Sequence, residues 1–197
     1  MPRNLQFRIC CHRQCIGPGS KFCLQHVLGS LLQAEGQTEA ALVHLRRAEE
    51  LAPAFPQLHL RLGSAYLAGR QWKKAEGAFR KVLEMDADHA EACYGLSVAL
   101  LRQSKLEESV EFALRAVGLQ HHYPAAHFQL GVALARLNQP ARAALALEHA
   151  LAMKPGVLVA HRYLARLYYR LGEFGKCHAH HEAIFKLKTN GNKPAPA

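Results

Sequence analysis

Residues 56–89 read PQLHLRLGSAYLAGRQWKKAEGAFRKVLEMDADH, and this stretch decides the fold. Leu62 and Tyr66 stand four apart and share one face of a first helix, which Pro56 opens where a missing N–H costs nothing. Ala75, Phe79 and Val82 then mark the face of a second helix by the same spacing. Stepping outward by 34 residues finds the same pattern each time: Leu28, Leu62, Leu96, Leu130 and Leu164 follow one another with no insertion or deletion. A fixed period of this size means a short supersecondary unit, copied and stacked. Stacked units expose one long surface rather than a closed catalytic pocket.

The units run 22–55, 56–89, 90–123, 124–157 and 158–187, with the recurrent leucine at the seventh place. The eighth place holds Gly29, Gly63, Ser97, Gly131 and Ala165, and the twentieth Ala41, Ala75, Ser109, Ala143 and Cys177. The twenty-seventh holds Ala48, Val82, Ala116, Ala150 and Ile184. Small residues at these places predict two helices crossing so closely that a larger side chain would separate them. The eleventh place (Leu32, Tyr66, Leu100, Leu134, Tyr168) and the twenty-fourth (Leu45, Phe79, Ala113, Leu147, His181) supply the filling. Helix pairs are expected at 24–35/38–51, 56–69/72–85, 90–103/106–119, 124–137/140–153 and 158–171/174–187, with no sheet. The third unit, with Ser97 and Ser109 at its small sites, should still pack, and the fifth, with Cys177 and His181, should be the loosest.

Leu62-Gly63, Tyr66, Ala75 and Phe79, with Ala87 standing at the usual proline site, resemble the tetratricopeptide repeat (TPR) signature. The resemblance extends over residues 22–187. It implies an all-α fold, an α-solenoid of about five helix-turn-helix hairpins wound as a right-handed superhelix. Residues 1–21 read as a flexible basic leader and 188–197 as a disordered tail. The later units, Tyr123-Pro124-Ala125-Ala126-His127-Phe128-Gln129-Leu130-Gly131 above all, are also similar to arrays at the C-terminal end of bacterial phosphodiesterase-like enzymes of the alkaline phosphatase superfamily. That likeness would make the chain a noncatalytic segment of something larger.

In this family the first helix of each pair lines the concave groove through its second, fifth, ninth, twelfth and thirteenth places. Carried over residue by residue, the resemblance implies a groove of Leu60, Tyr94, Val98, Leu101, Arg102, Phe128, Val132, Arg136, Arg162, Arg166, Tyr169 and Arg170. Its middle is apolar and aromatic and its C-terminal end basic. Such a surface fits a peptide with apolar anchors and an acidic end, because arginine holds a carboxylate bidentately. A basic residue at the thirteenth place is also common in the family, so Arg102, Arg136 and Arg170 have a plainer reading as a solvated face. Chaperone-binding relatives place Lys and Asn at the fifth and ninth places; no ninth place here is Asn, which argues against that partner class.

The net charge of +10 is unevenly spread. Residues 1–22 carry four basic and no acidic groups, and 158–197 carry seven basic and two acidic. Between them stand 14 basic and 13 acidic groups, so no continuous basic stripe runs along the array and nucleic acid is not an expected partner. No apolar run of about 20 residues exists to span a membrane. Arg3, Arg8 and Arg13 interrupt any signal-peptide core, which points to the cytoplasm.

Cys10, Cys11, His12, Cys15 and Cys23 crowd into one knuckle and a straggler rather than two spaced ligand pairs, so no metal is expected. Cys177, His178, His180, His181 and Glu182 form a second cluster, but Cys177 and His181 fall on packing places. His59, His127 and His161 share the fourth place and read as structural. No assembled acid, base, nucleophile or phosphate loop appears, so neither catalysis nor a cofactor is expected. The last hairpin lacks a capping element. Either Lys176, His178, His180 and Lys186 cap it, or a second copy of the chain covers it.

Overall fold

The computed structural model describes residues 20–190, which form ten helices and no strand. They pair as α1 (Ser20–Ala34) with α2 (Thr38–Leu51), α3 (Pro56–Ala68) with α4 (Trp72–Met85), and α5 (Ala90–Arg102) with α6 (Leu106–Leu119). The last two pairs are α7 (Pro124–Arg136) with α8 (Pro140–Met153), and α9 (Leu158–Arg170) with α10 (Phe174–Asn190). This is the hairpin solenoid that the 34-residue period implies. The chain divides after Ala87 into two compact units, one holding α1–α4 and the other α5–α10.

Both ends of the array differ from expectation. Helix α1 begins at Ser20 rather than 24, because Phe22 stacks on His26 and sets its ring edge-on to Phe55, tying down an extra turn. Helix α10 runs to Asn190 rather than 187; Lys188 complements the negative end of the helix dipole and the Thr189 hydroxyl donates to the Phe185 carbonyl at 3.1 Å. Cys10, Cys11, His12 and Cys15, and the leader and tail as such, lie outside the described residues apart from these helix ends.

Each hairpin turns by one device. The fifteenth place takes a left-handed backbone in all five repeats: Gly36, Arg70, Ser104, Asn138 and Gly172 have φ between 55° and 79°. The next N–H reaches back to the carbonyl of the eleventh place, as in Gln71 to Tyr66 (2.8 Å) and Gln139 to Leu134 (3.0 Å), while the N–H of the fifteenth place itself bonds the twelfth. These paired bonds are the Schellman closure of a helix end. Glycine adopts that backbone freely, whereas Arg70 and Ser104 do so against their side chains.

The eighth and twenty-fourth places set how closely the helices of a pair cross. A Cβ placed on Gly29 would lie 2.7 Å from Leu45, on Gly63 2.7 Å from the Phe79 ring, and on Gly131 2.6 Å from Leu147. In the third repeat the eighth place gains a side chain, Ser97, and the twenty-fourth shrinks to Ala113. There the Ser97 hydroxyl donates to the Ser109 carbonyl (2.8 Å) and the Ser109 hydroxyl to the Ser97 carbonyl (2.9 Å). Both serines are fully buried, and this reciprocal pair satisfies them, so the third repeat packs as expected.

Candidate peptide-binding surface

In the second unit the first helices of successive hairpins lie side by side, α5 against α7 and α7 against α9. Of the residues expected to line the groove, all but Leu60 fall on these three helices; Leu60 is on α3 of the first unit. Tyr94, Val98 and Phe128 are half-buried, and Arg102, Arg136, Arg162, Arg166, Tyr169 and Arg170 are exposed.

Three of the expected groove residues are instead core. Leu60, Leu101 and Val132 expose only 3%, 5% and 8% of their surface. Leu101 and Val132 join an apolar cluster with Val110, Leu130 and Leu147, whereas Val98 and the rings of Tyr94 and Phe128 stay half-buried.

Those rings border a cavity of about 410 Å³, lined also by Tyr123, Pro124, Lys154 and Val157. Tyr94 and Tyr123 pack with ring centres 5.2 Å apart, and Phe128 sets its ring edge-on to Tyr163 at 5.9 Å. Burial pushes the Tyr94 hydroxyl above its ordinary pKa, and burial raises that of Tyr123 too, helped by neighbouring Tyr94 and Glu91. Both hydroxyls therefore stay neutral at physiological pH, and the cavity offers an apolar floor beside one cation, Lys154. Tyr123 and Lys154 lie outside the five groove places. The signal for Tyr123 was the thirty-fourth place, where Phe55, His89, Tyr123 and Val157 recur.

The tetratricopeptide repeat family model matches residues 60–126 and 128–176, and a second model of the same repeat matches residues 32–79. The chain belongs to the tetratricopeptide repeat family. A curated relative is Cellulose synthase operon protein C of Xanthomonas axonopodis pv. citri (strain 306), 32% identical over 177 residues. The match takes in 82% of this chain, which spans only 11% of that relative's length. Among solved structures, MamA 41-end from Desulfovibrio magneticus RS-1 has a TM-score of 0.81 at 20% identity, covering 90% of this chain and 100% of that one. Pseudomonas aeruginosa PilF has a TM-score of 0.76 at 23% identity, covering 91% of this chain and 80% of its own. YrrB, described as a TPR protein with an unusual peptide-binding site, scores 0.69 at 19% identity, covering 93% and 92%. At these identities the structures share the fold.

The TPR register explains how the exposed arginines are used. At the thirteenth place, Arg136 donates to the Leu101 carbonyl at 2.9 Å and Arg170 to the Asn138 side chain, so each ties its repeat to the one before. Arg162 and Arg166, at the fifth and ninth places of the last repeat, have no ion-pair partner among the described residues. No three His, Cys, Asp or Glu side chains converge as metal ligands among the described residues. No described helix is long and apolar enough to cross a membrane.

The fourth-place histidines are ties of the same kind. Nε2 of His59 meets the Pro53 carbonyl (2.6 Å), that of His127 the His121 carbonyl (3.2 Å), and that of His161 the Pro155 carbonyl (3.0 Å), each reaching the thirty-second place of the preceding repeat. With its Nε2 donating, His161 accepts at Nδ1 from His180 Nδ1, 3.0 Å away. Burial lowers the pKa of His180, with His161 adding to it and Glu148 opposing. Burial also lowers His127, joined by His149 and His121 against its backbone bond, and lowers His26, joined by Arg61. A histidine with a depressed folded pKa is neutral in the fold and binds its proton on unfolding. These groups therefore stabilise the fold fully above the unfolded pKa of about 6.5 and lose that contribution as pH falls. The urea midpoint should drop between about pH 7.5 and 5, and drop less in His180→Gln; a His180→Gln profile parallel to wild type would refute the assignment.

Proposed function

We propose that the second unit binds a segment of a partner protein across α5, α7 and α9, as a scaffold with no catalysis of its own. An apolar or aromatic side chain of the partner occupies the cavity beside Tyr94, Tyr123 and Phe128, and a carboxylate engages Arg162 and Arg166. The observation that carries this reading is an aromatic-lined cavity on the same row of helices as two exposed arginines that have no acidic partner among the described residues. Aromatic and arginine side chains of this kind are the usual binding anchors. The peptide-binding site named for YrrB accords with it. The setting we propose is the cytosol.

The test is a titration of labelled peptides carrying a Phe or Leu anchor and a terminal Glu pair, read by fluorescence anisotropy. A Tyr94→Ala, Phe128→Ala, Arg162→Ala, Arg166→Ala variant should lose about 30-fold or more, since two anchors of this type contribute at least ~2 kcal/mol. Unchanged affinity would remove the proposal.

A second reading has its own support, because the chain spans only 11% of its curated relative. In that reading it is a repeat segment of a larger assembly. An antibody against residues 20–190 would then detect a native species far heavier than 21.9 kDa.

A further inference from the structure

We infer that the exposed edge of the α9–α10 hairpin is a docking site for an acidic amphipathic helix of a partner protein. It shares Arg162 and Arg166 with the surface proposed above but does not use the Tyr94–Phe128 cavity.

The form of the occupant follows from the repeat before it. In the fourth repeat the fifth, eighth, ninth, twentieth and twenty-fourth places are Phe128, Gly131, Val132, Ala143 and Leu147. Helix α9 covers this edge, packing Ala160, Leu164 and Leu167 (0%, 0% and 2% exposed) into the cluster that holds Val132, Ala143 and Leu147. The same places of the last hairpin are Arg162, Ala165, Arg166, Cys177 and His181; with Tyr169 and Ile184 they line a cavity of about 360 Å³. No described element covers it, and Tyr169 is 66% exposed. Among the described residues, a site shaped by its register to receive a helix has no element over it.

The chemistry of the occupant follows from the two places that changed. Phe128 and Val132 have become Arg162 and Arg166, and neither arginine has an acidic partner among the described residues. A purely apolar helix laid over them would bury two unpaired guanidinium groups, which is strongly unfavourable. The covering helix must bring carboxylates. Their position is set by Phe128, whose ring meets that of Tyr163, the sixth residue of the repeat that covers it. A glutamate at that sixth place would meet Arg162, and one at the ninth would lie beside Arg166.

A second copy of this chain offers a helix of the right shape and the wrong charge. Leu24 and Leu31 of α1 are each 57% exposed at the third and tenth places, where every other repeat buries its residue to within 2%. Yet α1 contains no acidic residue, its sixth place is Val27, and residues 1–22 carry four basic groups and no acid. Two basic ends would be brought together.

The probe is a stapled 15-residue helix with Ala, Leu and Leu at the third, seventh and tenth places and Glu at the sixth and ninth. It is titrated against the full chain by fluorescence anisotropy. The Glu helix should bind, and its Gln counterpart should bind at least about tenfold more weakly. The double reversal Arg162→Glu, Arg166→Glu should lose the Glu helix and gain a Lys version of it. Ile184→Asp should weaken binding, while Phe128→Ala leaves it unchanged and impairs only the peptides of the concave surface. Four results would each overturn the proposal: no binding of the Glu helix, equal binding of Glu and Gln helices, loss on Phe128→Ala equal to that on Ile184→Asp, or concentration-dependent self-association in sedimentation that Leu24→Asp and Leu31→Asp abolish.

Discussion

Replacing Phe79 by alanine should cost about 3–5 kcal/mol of unfolding free energy, and adding Gly63→Ala should return part of that loss. The second half of this expectation runs against intuition, because Gly63→Ala alone should be destabilising. Phe79 is 1% exposed, and a Cβ on Gly63 would stand 2.7 Å from its ring carbons. Overpacking of that kind costs ~1–3 kcal/mol, which exceeds the ~1 kcal/mol that alanine gains over glycine within a helix. Once the ring is gone the clash is gone, the new methyl fills part of the void, and the propensity gain remains. The third repeat already holds this solution in the pairing of Ser97 with Ala113. Urea unfolding of the two single variants and the double variant decides the matter. Additive losses would mean that the eighth and twenty-fourth places do not set the hairpin's closeness together.

The hairpins were legible because their cause is local. A seventh-place leucine, small residues at the eighth and twentieth places and prolines such as Pro56 and Pro124 act within one repeat, and each expected helix formed within a few residues of its place. What lay hidden depends on neighbours. Register gives the direction of a side chain but not its depth: Phe128 and Val132 point alike, yet the valine is covered and the longer ring reaches the cavity. The division after Ala87 has no mark in a period that runs unbroken through it. The left-handed turn residues Arg70 and Ser104 were equally unreadable, since only Gly36, Asn138 and Gly172 are types that favour such a backbone. The thirteenth-place arginines have a part that neither reading named: Arg136 and Arg170 each bond the preceding repeat.

The fourth-place histidines give the second large effect, and burial predicts its order. His59 is completely buried; its Nε2 bonds the Pro53 carbonyl at 2.6 Å and its Nδ1 lies 3.6 Å from Glu49, which also holds Lys81 at 2.8 Å. His59→Ala removes a buried ring and orphans the carbonyl, so it should cost about 2–4 kcal/mol. His161 is only partly buried, with a 3.0 Å bond to Pro155 and its link to His180, and its alanine variant should cost less. His127, whose bond to His121 is 3.2 Å and open to solvent, should cost about 1 kcal/mol or under. His59→Phe separates the two parts of the effect: it keeps the ring and removes the donor, so a loss near 1–2 kcal/mol isolates the hydrogen bond. Among the alanine variants the urea midpoint should be lowest for His59→Ala, next for His161→Ala and nearest to wild type for His127→Ala. Equal losses at His59 and His127 would mean that the shared place, and not the depth of each ring between its repeats, governs how the histidine holds one hairpin to the next.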